Sequence, residues 1–234
     1  MTTPLPYRTA LIVGAGIGLS ASLCRLLVAE GIKVGLAARN AGKLEPLAAQ
    51  VGAETFAVDA SSPREVIQLF DQVDARIGAP DIVIYNASSR VPGRLTDLAP
   101  ETVRKAIEIS AYGGFLVAQQ AAKRMLVDRN GAIFFTGATA SVKGFARSAA
   151  FSMGKFALRG LAQSAARELS PQGIHVAHVV IDGSIRSAAH PDPVDHVDST
   201  LDPDAIAQTY LALLRQPRSA WSWEIEVRPW VETF

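Results

Sequence analysis

Along the chain, short uninterrupted apolar runs alternate with longer stretches in which apolar residues recur every three or four positions. The runs at 9–13, 33–37, 54–58, 82–85, 132–136, 175–181 and 224–228 are each bounded by Gly, Asn, Asp or Pro, and they predict seven strands. Runs such as IVIY and AIFFT show no polar alternation, so both faces of those strands must be covered, as in a parallel sheet flanked by helices. Stretches of helical period fall at 18–30, 41–51, 63–77, 100–128, 149–170 and 203–215. Ser62-Pro63-Arg64-Glu65 reads as a capping box with proline in the first helical position, and Asp202-Pro203 repeats the cap-then-proline order. Strands alternating with helices throughout predict an α/β fold, a doubly wound parallel seven-stranded sheet with helices on both faces. Residues 184–201 (SIRSAAHPDPVDHVDSTL) fit neither period and follow a strand end, where open α/β sheets place their ligands. They read as a substrate-side loop or lid.

A chain of 234 residues suits one domain spanning 1–234, and it holds no internal repeat. Its net charge is +1, with basic residues scattered, which removes the footprint of a protein that neutralises nucleic-acid or membrane phosphates. A small-molecule ligand is expected instead. The single cysteine, Cys24, has no partner for an intramolecular bridge and fits a reducing compartment. The opening MTTPLPYRTA lacks the basic flank and apolar run of a secretory signal, and no apolar run reaches the roughly 18 residues of a membrane span. A cytoplasmic, soluble protein is the expectation.

The stretch VGAGIGLS at 13–20 follows the first strand and opens a helix, the context that a glycine-rich phosphate loop requires. Gly14 would permit the tight turn and Gly18 the close approach of a diphosphate, with Gly16, Ile17 and Leu19 completing the loop at the helix N-terminus. The competing reading is a plain strand-to-helix turn. Arg39 lies just past the second strand, and no acid occurs between Lys33 and Leu44. An acid there would accept a hydrogen bond from the ribose 2′-hydroxyl of NAD, whereas a guanidinium forks onto the 2′-phosphate of NADP, so NADP is favoured and NAD is less so. The competing reading is a solvated arginine. Asp59 and Ala60 after the third strand, and Asn86, Ala87 and Ser88 after the fourth, fall on the same sheet edge. Together these features describe a Rossmann-type dinucleotide-binding domain.

Taken in order, these residues resemble the short-chain dehydrogenase/reductase family from about residue 7 to 230. The family's TGxxxGxG loop reads VGAGIGLS here, its NNAG stretch reads YNAS at 85–88, and its YxxxK signature falls on FSMGK at 151–155. Its strand-then-Pro-Gly segment falls on HVVIDGSIRS at 178–187, which adds Gly183, Ile185 and Ser187 to the implied cofactor contacts. The resemblance implies an NAD(P)-dependent oxidoreductase in which a tyrosine protonates the carbonyl oxygen, a lysine tunes it and binds the nicotinamide ribose, a serine steadies substrate, and an asparagine supports a proton relay. Position by position the tyrosine is Phe151, the serine is Ala138 and the asparagine is Ser110, while Lys155 keeps the lysine. The chain is thus expected to be an atypical member that lacks the catalytic Tyr and Ser.

A positioned proton donor contributes roughly 10²- to 10⁴-fold to such reactions, and Phe151 has no proton to give. Thr139, Ser141, Ser148, Ser152, Tyr112, Asp182 and Lys155 are the candidate substitutes, each with an ordinary role in loops or caps as its alternative. His175 and His178, three apart on a strand, should face opposite ways and share no metal, and His190 and His196 sit in the loop. No metal is expected. By resemblance the helix at 149–170 and its predecessor form a homodimer or homotetramer contact, with Ala157, Ala162, Ala165 and Ala166 allowing close approach. The aromatic tail WSWEIEVRPWVETF reads as core or subunit contact. A redox enzyme and a catalytically quiet NADP(H)-binding module, sensing or scaffolding, both follow from these residues; a sheet that has lost its nucleotide is the third reading.

Overall fold

The computed structural model describes residues 4–232. Seven strands, β1 (Thr9–Val13), β2 (Lys33–Ala38), β3 (Glu54–Ala57), β4 (Ile82–Tyr85), β5 (Gly131–Thr136), β6 (Ile174–Ile181) and β7 (Glu224–Val227), form one parallel sheet in the order β3-β2-β1-β4-β5-β6-β7. The doubly wound architecture expected from the apolar runs is therefore present. The winding reverses between β1 and β4, which opens a crevice at their carboxyl ends.

One face of the sheet is covered by α3 (Pro63–Arg76), α5 (Gly113–Asp128) and α6 (Ala149–Leu169), which pack Phe70, Val117 and Leu158 onto Leu11, Val83 and Phe135. The other carries α1 (Leu19–Ala29) and α7 (Pro203–Leu214), whose Leu23 and Tyr210 meet Ile12, Ile84 and Phe134, while α2 (Glu45–Val51) lies at the β3 edge. β4 and β5 are buried at every position, the physical reason their sequences lack alternation.

Several local expectations change. The stretch at 41–51 opens with a 3-10 turn, Ala41–Leu44, before α2. The 100–128 segment is not one α-helix: α4 (Pro100–Ile107) passes through a π turn, Glu108–Tyr112, into α5. The Tyr85 hydroxyl donates to the Ile109 carbonyl inside that turn, tying the irregularity to the end of β4. Ser62 caps α3 by accepting from the Glu65 amide, but the Glu65 carboxylate accepts from the Asp59 amide, so the box closes on the end of β3 rather than on Ser62. Asp202 caps α7 through the Asp204 amide.

Ala162, Ala165 and Ala166 are buried in the core, so they do not form an outer face of α6, whereas Ala157 is exposed beside Met153 and Phe156. In the tail, Trp221 stacks on His175 with ring centroids 4.7 Å apart, Trp223 packs on the core, and Trp230 is exposed. Residues 184–201 form no helix or strand; the bridge from Ile185 to Leu201 closes their base, and Arg186 clasps Asp192, Asp198 and Asp202 across it. Among the described residues no helix is long and apolar enough to cross a membrane.

Candidate active site

The chain leaves β1 in a turn that only glycine adopts easily, with φ of +83° at Gly14. The amides of Gly14 and Ala15 both donate to the Ala37 carbonyl, at 2.9 and 3.0 Å, pinning the loop to the end of β2. A Cβ at Gly14 would stand 2.3 Å from the Ala87 nitrogen, so the loop and the segment after β4 touch backbone to backbone. At Gly16 and Gly18 a Cβ would meet nothing within 4 Å, so that side of the loop is open. α1 then starts with neither a side-chain cap nor an acid in its first turn, leaving its partial positive charge unopposed toward the opening. Ile17 is exposed, while the Leu19 side chain enters the core and leaves only its backbone at the helix end. Ser20 is buried and accepts from the Asn86 side chain at 2.8 Å, which fixes Asn86 against the loop.

A cavity of about 330 Å³ lies beside this loop, lined by Gly14, Ala15, Arg39, Asp59, Ala60, Asn86, Ala87 and Ser88 along the ends of β1 to β4. Arg39 is exposed at its rim. Asp59 Oδ1 accepts from the Ser61 amide and hydroxyl, at 2.9 and 2.6 Å, and these bonds hold its carboxyl below the usual range.

A second cavity of about 330 Å³ adjoins the first through Asn86 and Ser88 and continues along the ends of β5 and β6. Its walls include Arg90, Ala138, Phe151, Lys155, Gly183, Ser184, Ile185 and His190. Lys155 is buried, not solvated as a lysine in the first turns of a helix ordinarily is. Its Nζ donates to the Thr136 carbonyl at 2.7 Å, and burial, reinforced by the Arg90 charge, brings its pKa down to about 8. Phe151 lies along the same wall, its ring centroid 5.9 Å from Lys155 Nζ. Its other neighbour is Arg90, whose guanidinium carbon stands 4.7 Å from that centroid. A third cavity of about 320 Å³ extends outward from Arg90 and Phe151 past Thr139, Ser148 and Phe145.

The structure sorts the candidate hydroxyl and acid donors. Thr139 and Ser148 line the outer cavity. Ser141 is buried and accepts from the Ala138 amide at 3.1 Å, and Ser110 is buried in the π turn, accepting from the Ser89 amide at 3.1 Å. Tyr112 faces outward and stacks on Phe115, away from the cleft. Asp182 is ion-paired with Arg228 at 3.0 Å. Ser152 lines neither cavity. Ser187 turns back to donate its amide to the His190 carbonyl and accept from the His190 amide, so it lies outside the cavity lining.

His175 and His178 occupy opposite faces of β6. His178 Nδ1 pairs with Glu224 at 3.0 Å, and burial drives its pKa down to about 4, so the ring is neutral. Arg90 and Ser184, with Thr136, Gly137 and Ile181 at the ends of β5 and β6, line the reaction cavity without having been singled out by the sequence. Arg90 sits in a loop with no periodic or motif signal, and its place over Phe151 is a purely tertiary fact. Larger clefts, of about 490 and 480 Å³, open around Tyr7 and Asn130 at the amino edge of the sheet and share no residue with this site.

Residues 8–190 match the family described as short chain dehydrogenase. The chain belongs to the short-chain dehydrogenase family. Its members are NAD(P)-dependent oxidoreductases. Among proteins similar to this short-chain dehydrogenase is an uncharacterized oxidoreductase of Staphylococcus aureus strain N315, 31% identical over 236 residues, covering 97% of this chain and 99% of that protein. The crystal structure of a short-chain dehydrogenase from Rhodopseudomonas palustris superposes with a TM-score of 0.83 at 36% identity, over 95% of this chain and 99% of that one. A metagenomic short-chain oxidoreductase crystallised in complex with NADP superposes with a TM-score of 0.82 at 27% identity, over 95% and 97% of the two chains.

Proposed function

We propose that this short-chain dehydrogenase is an NADP(H)-dependent reductase whose acceptor needs no proton from residue 151. The observation that carries this reading is one cleft, continuous through Asn86 and Ser88, with Arg39 at its nucleotide end and a buried Lys155 at its reaction end. The residues fit a dinucleotide phosphate. Open space at Gly16 and Gly18 leaves room for a diphosphate against bare amides, and Arg39, although its charge reaches Asp59 across the cavity, forms no ion pair among the described residues that would occupy it. The one relative named above with a bound dinucleotide holds NADP.

Bound there, the reduced dinucleotide supplies a hydride to the substrate. Gly14, Gly16, Ile17, Gly18 and Leu19 would hold its diphosphate by backbone, Arg39 its adenosine phosphate, and Asp59, Ala60, Asn86, Ala87 and Ser88 its adenosine side and central span. Lys155, Gly183, Ile185 and Ser187 would hold the nicotinamide end, Ser187 after its turn with His190 opens. The segment 184–201 closes over the substrate within what we read as a single working domain.

Phe151 and Ala138 then define the chemistry. Neither can stabilise an alkoxide, and one lost donor of this kind costs roughly 10²–10³ in rate. An activated C=C, whose hydride adduct takes its one proton from water, or an iminium, which needs none, suits such a wall. The copy of the chain that pairs with this one would cover Tyr112 at the end of the π turn, Phe115 on α5, and Met153 and Phe156 on α6, giving a homodimer or homotetramer.

A screen of enones, imines and ketones with NADPH consumption recorded tests the proposal. Turnover of activated alkenes or imines by the wild type supports it. NADPH binding without turnover of anything would instead establish the quiet binding module.

A further inference from the structure

Arg90 is the feature of the reaction cavity that the proposed chemistry leaves unused. Among the described residues it has neither an ion pair nor a hydrogen bond; its contact is the face of Phe151. It lines both the inner and the outer cavity, so it stands where the two meet. Arginine against an aromatic face is held as a flat plate, with its edge N–H groups free to form a forked pair with a planar anion. The inner lining contains Lys155 as well and no carboxylate, while Glu232, in the outer lining, forms no ion pair with Arg90. A guanidinium left unpaired in so cationic a wall has a site for a negative charge in front of it.

We infer that the substrate carries a carboxylate, that Arg90 grips it in a two-pronged pair over the Phe151 ring, and that Arg90 is the specificity-determining residue of the cleft. This deepens the NADP(H)-reductase reading and rests on its placement of the reacting group beside Lys155. It also separates the two acceptors left open above. An iminium would bring a positive charge against Arg90 and Lys155, whereas an activated alkene that also carries a carboxylate brings the complementary sign. The absent tyrosine and the present arginine become one arrangement: Phe151 no longer offers a hydroxyl, and its bare face seats the guanidinium.

The test uses matched probes on the NADPH-loaded protein: cinnamate against methyl cinnamate, and benzoylformate against its methyl ester. Binding is followed by the change in NADPH fluorescence and turnover by loss of its absorbance. The acids should bind about tenfold or more tighter than the esters, the size of one charge-assisted pair. Arg90→Gln should collapse that preference toward unity, and Arg90→Lys should restore part of it, because lysine keeps the charge but not the fork. An unaltered thermal midpoint shows that the variants fold. Equal binding of acid and ester by the wild type, no binding of either acid, or a preference that survives Arg90→Gln would each overturn the inference. Calorimetric titration of the cofactor-free chain with benzoylformate keeps the two readings apart. Acid binding lost in Arg90→Gln with no affinity for NADPH refutes the dinucleotide reading alone. NADPH oxidation with esters preferred refutes the carboxylate reading alone.

Discussion

The two halves of the cleft are built from different material. Along the ends of β1 to β4 the working surface is backbone: Gly14 at positive φ, open space at Gly16 and Gly18, and the uncapped start of α1. Along the ends of β5 and β6 it is side chain: Lys155, Phe151 and Arg90, brought together from distant segments. A backbone site depends on main-chain shape, fixed at Gly14 by conformation and lack of room, and on the space left open at Gly16 and Gly18. A side-chain site changes its chemistry one residue at a time while the sheet beneath stays the same, and in this chain that is where Phe151 and Ala138 stand.

The largest expected effect comes from placing hydroxyl donors in the second half. Phe151→Tyr with Ala138→Ser should raise NADPH-linked ketone reduction by roughly 10²- to 10⁴-fold, the contribution of a positioned proton donor, measured as kcat/KM on a panel of neutral ketones. The Arg90 guanidinium now over the ring must share its space with the new hydroxyl, so the gain should be greater with Arg90→Ala added. No gain in either background would mean that ketones do not reach the Phe151 wall.

The first half should break differently. Gly14→Ala forces a Cβ into the Ala87 backbone at a φ of +83°, and clash and strain together should cost about 2–5 kcal/mol of folding stability. Gly16→Ala, with nothing within 4 Å of its Cβ, should leave stability nearly unchanged while weakening NADPH binding. Denaturant unfolding of the pair, with cofactor titration, checks both. Equal stability losses would show that Gly16 is also packed.

The same contrast explains what was legible in the sequence. β1 and β4 were placed to the residue because uninterrupted apolar runs such as TALIV and IVIY fit only strands buried on both faces. The glycine loop was legible because conformation selects residue type directly. Arg90 was not, since nothing local distinguishes it from a solvated arginine until Phe151 arrives from α6 beneath it. Nor were the buried alanines of α6, because small apolar residues suit a sheet-facing stripe and a subunit contact equally well. The π turn at Glu108–Tyr112 left no trace, since its cause is a contact between Ile109 and Tyr85 of β4.

Lys155 is legible in identity but not in state. Its folded pKa of about 8 lies below the 10.5 of a free lysine, so the unfolded chain binds more protons between those values and stability rises with pH across that window. Below pH 8 the buried ammonium carries a penalty of about 3 kcal/mol. Lys155→Met should therefore raise stability at pH 7 by about 1–3 kcal/mol, less what is lost at the Thr136 carbonyl, and flatten the slope between pH 8 and 10.5. The same variant should lose activity. A wild-type slope retained in Lys155→Met would assign the titration elsewhere.

The smallest effect is the one that decides the coenzyme. If Arg39 forks onto a 2′-phosphate, its removal takes away a charge-assisted pair worth about 1.5–3 kcal/mol, and Arg39→Ala should bind NADPH roughly 10- to 100-fold more weakly. NADH has a hydroxyl in that place, so its affinity should hardly move, and the ratio of the two constants is the informative quantity. Because Arg39 is exposed and the lost partner is charged, the ratio should also shrink as salt is raised in the wild type and respond little in the variant. Arg39→Asp should go further and favour NADH, since the carboxylate repels the phosphate and accepts from the hydroxyl. Should Arg39→Ala weaken both coenzymes alike, the guanidinium would be acting on a feature they share, and the basis for NADP at this end of the cleft would be gone.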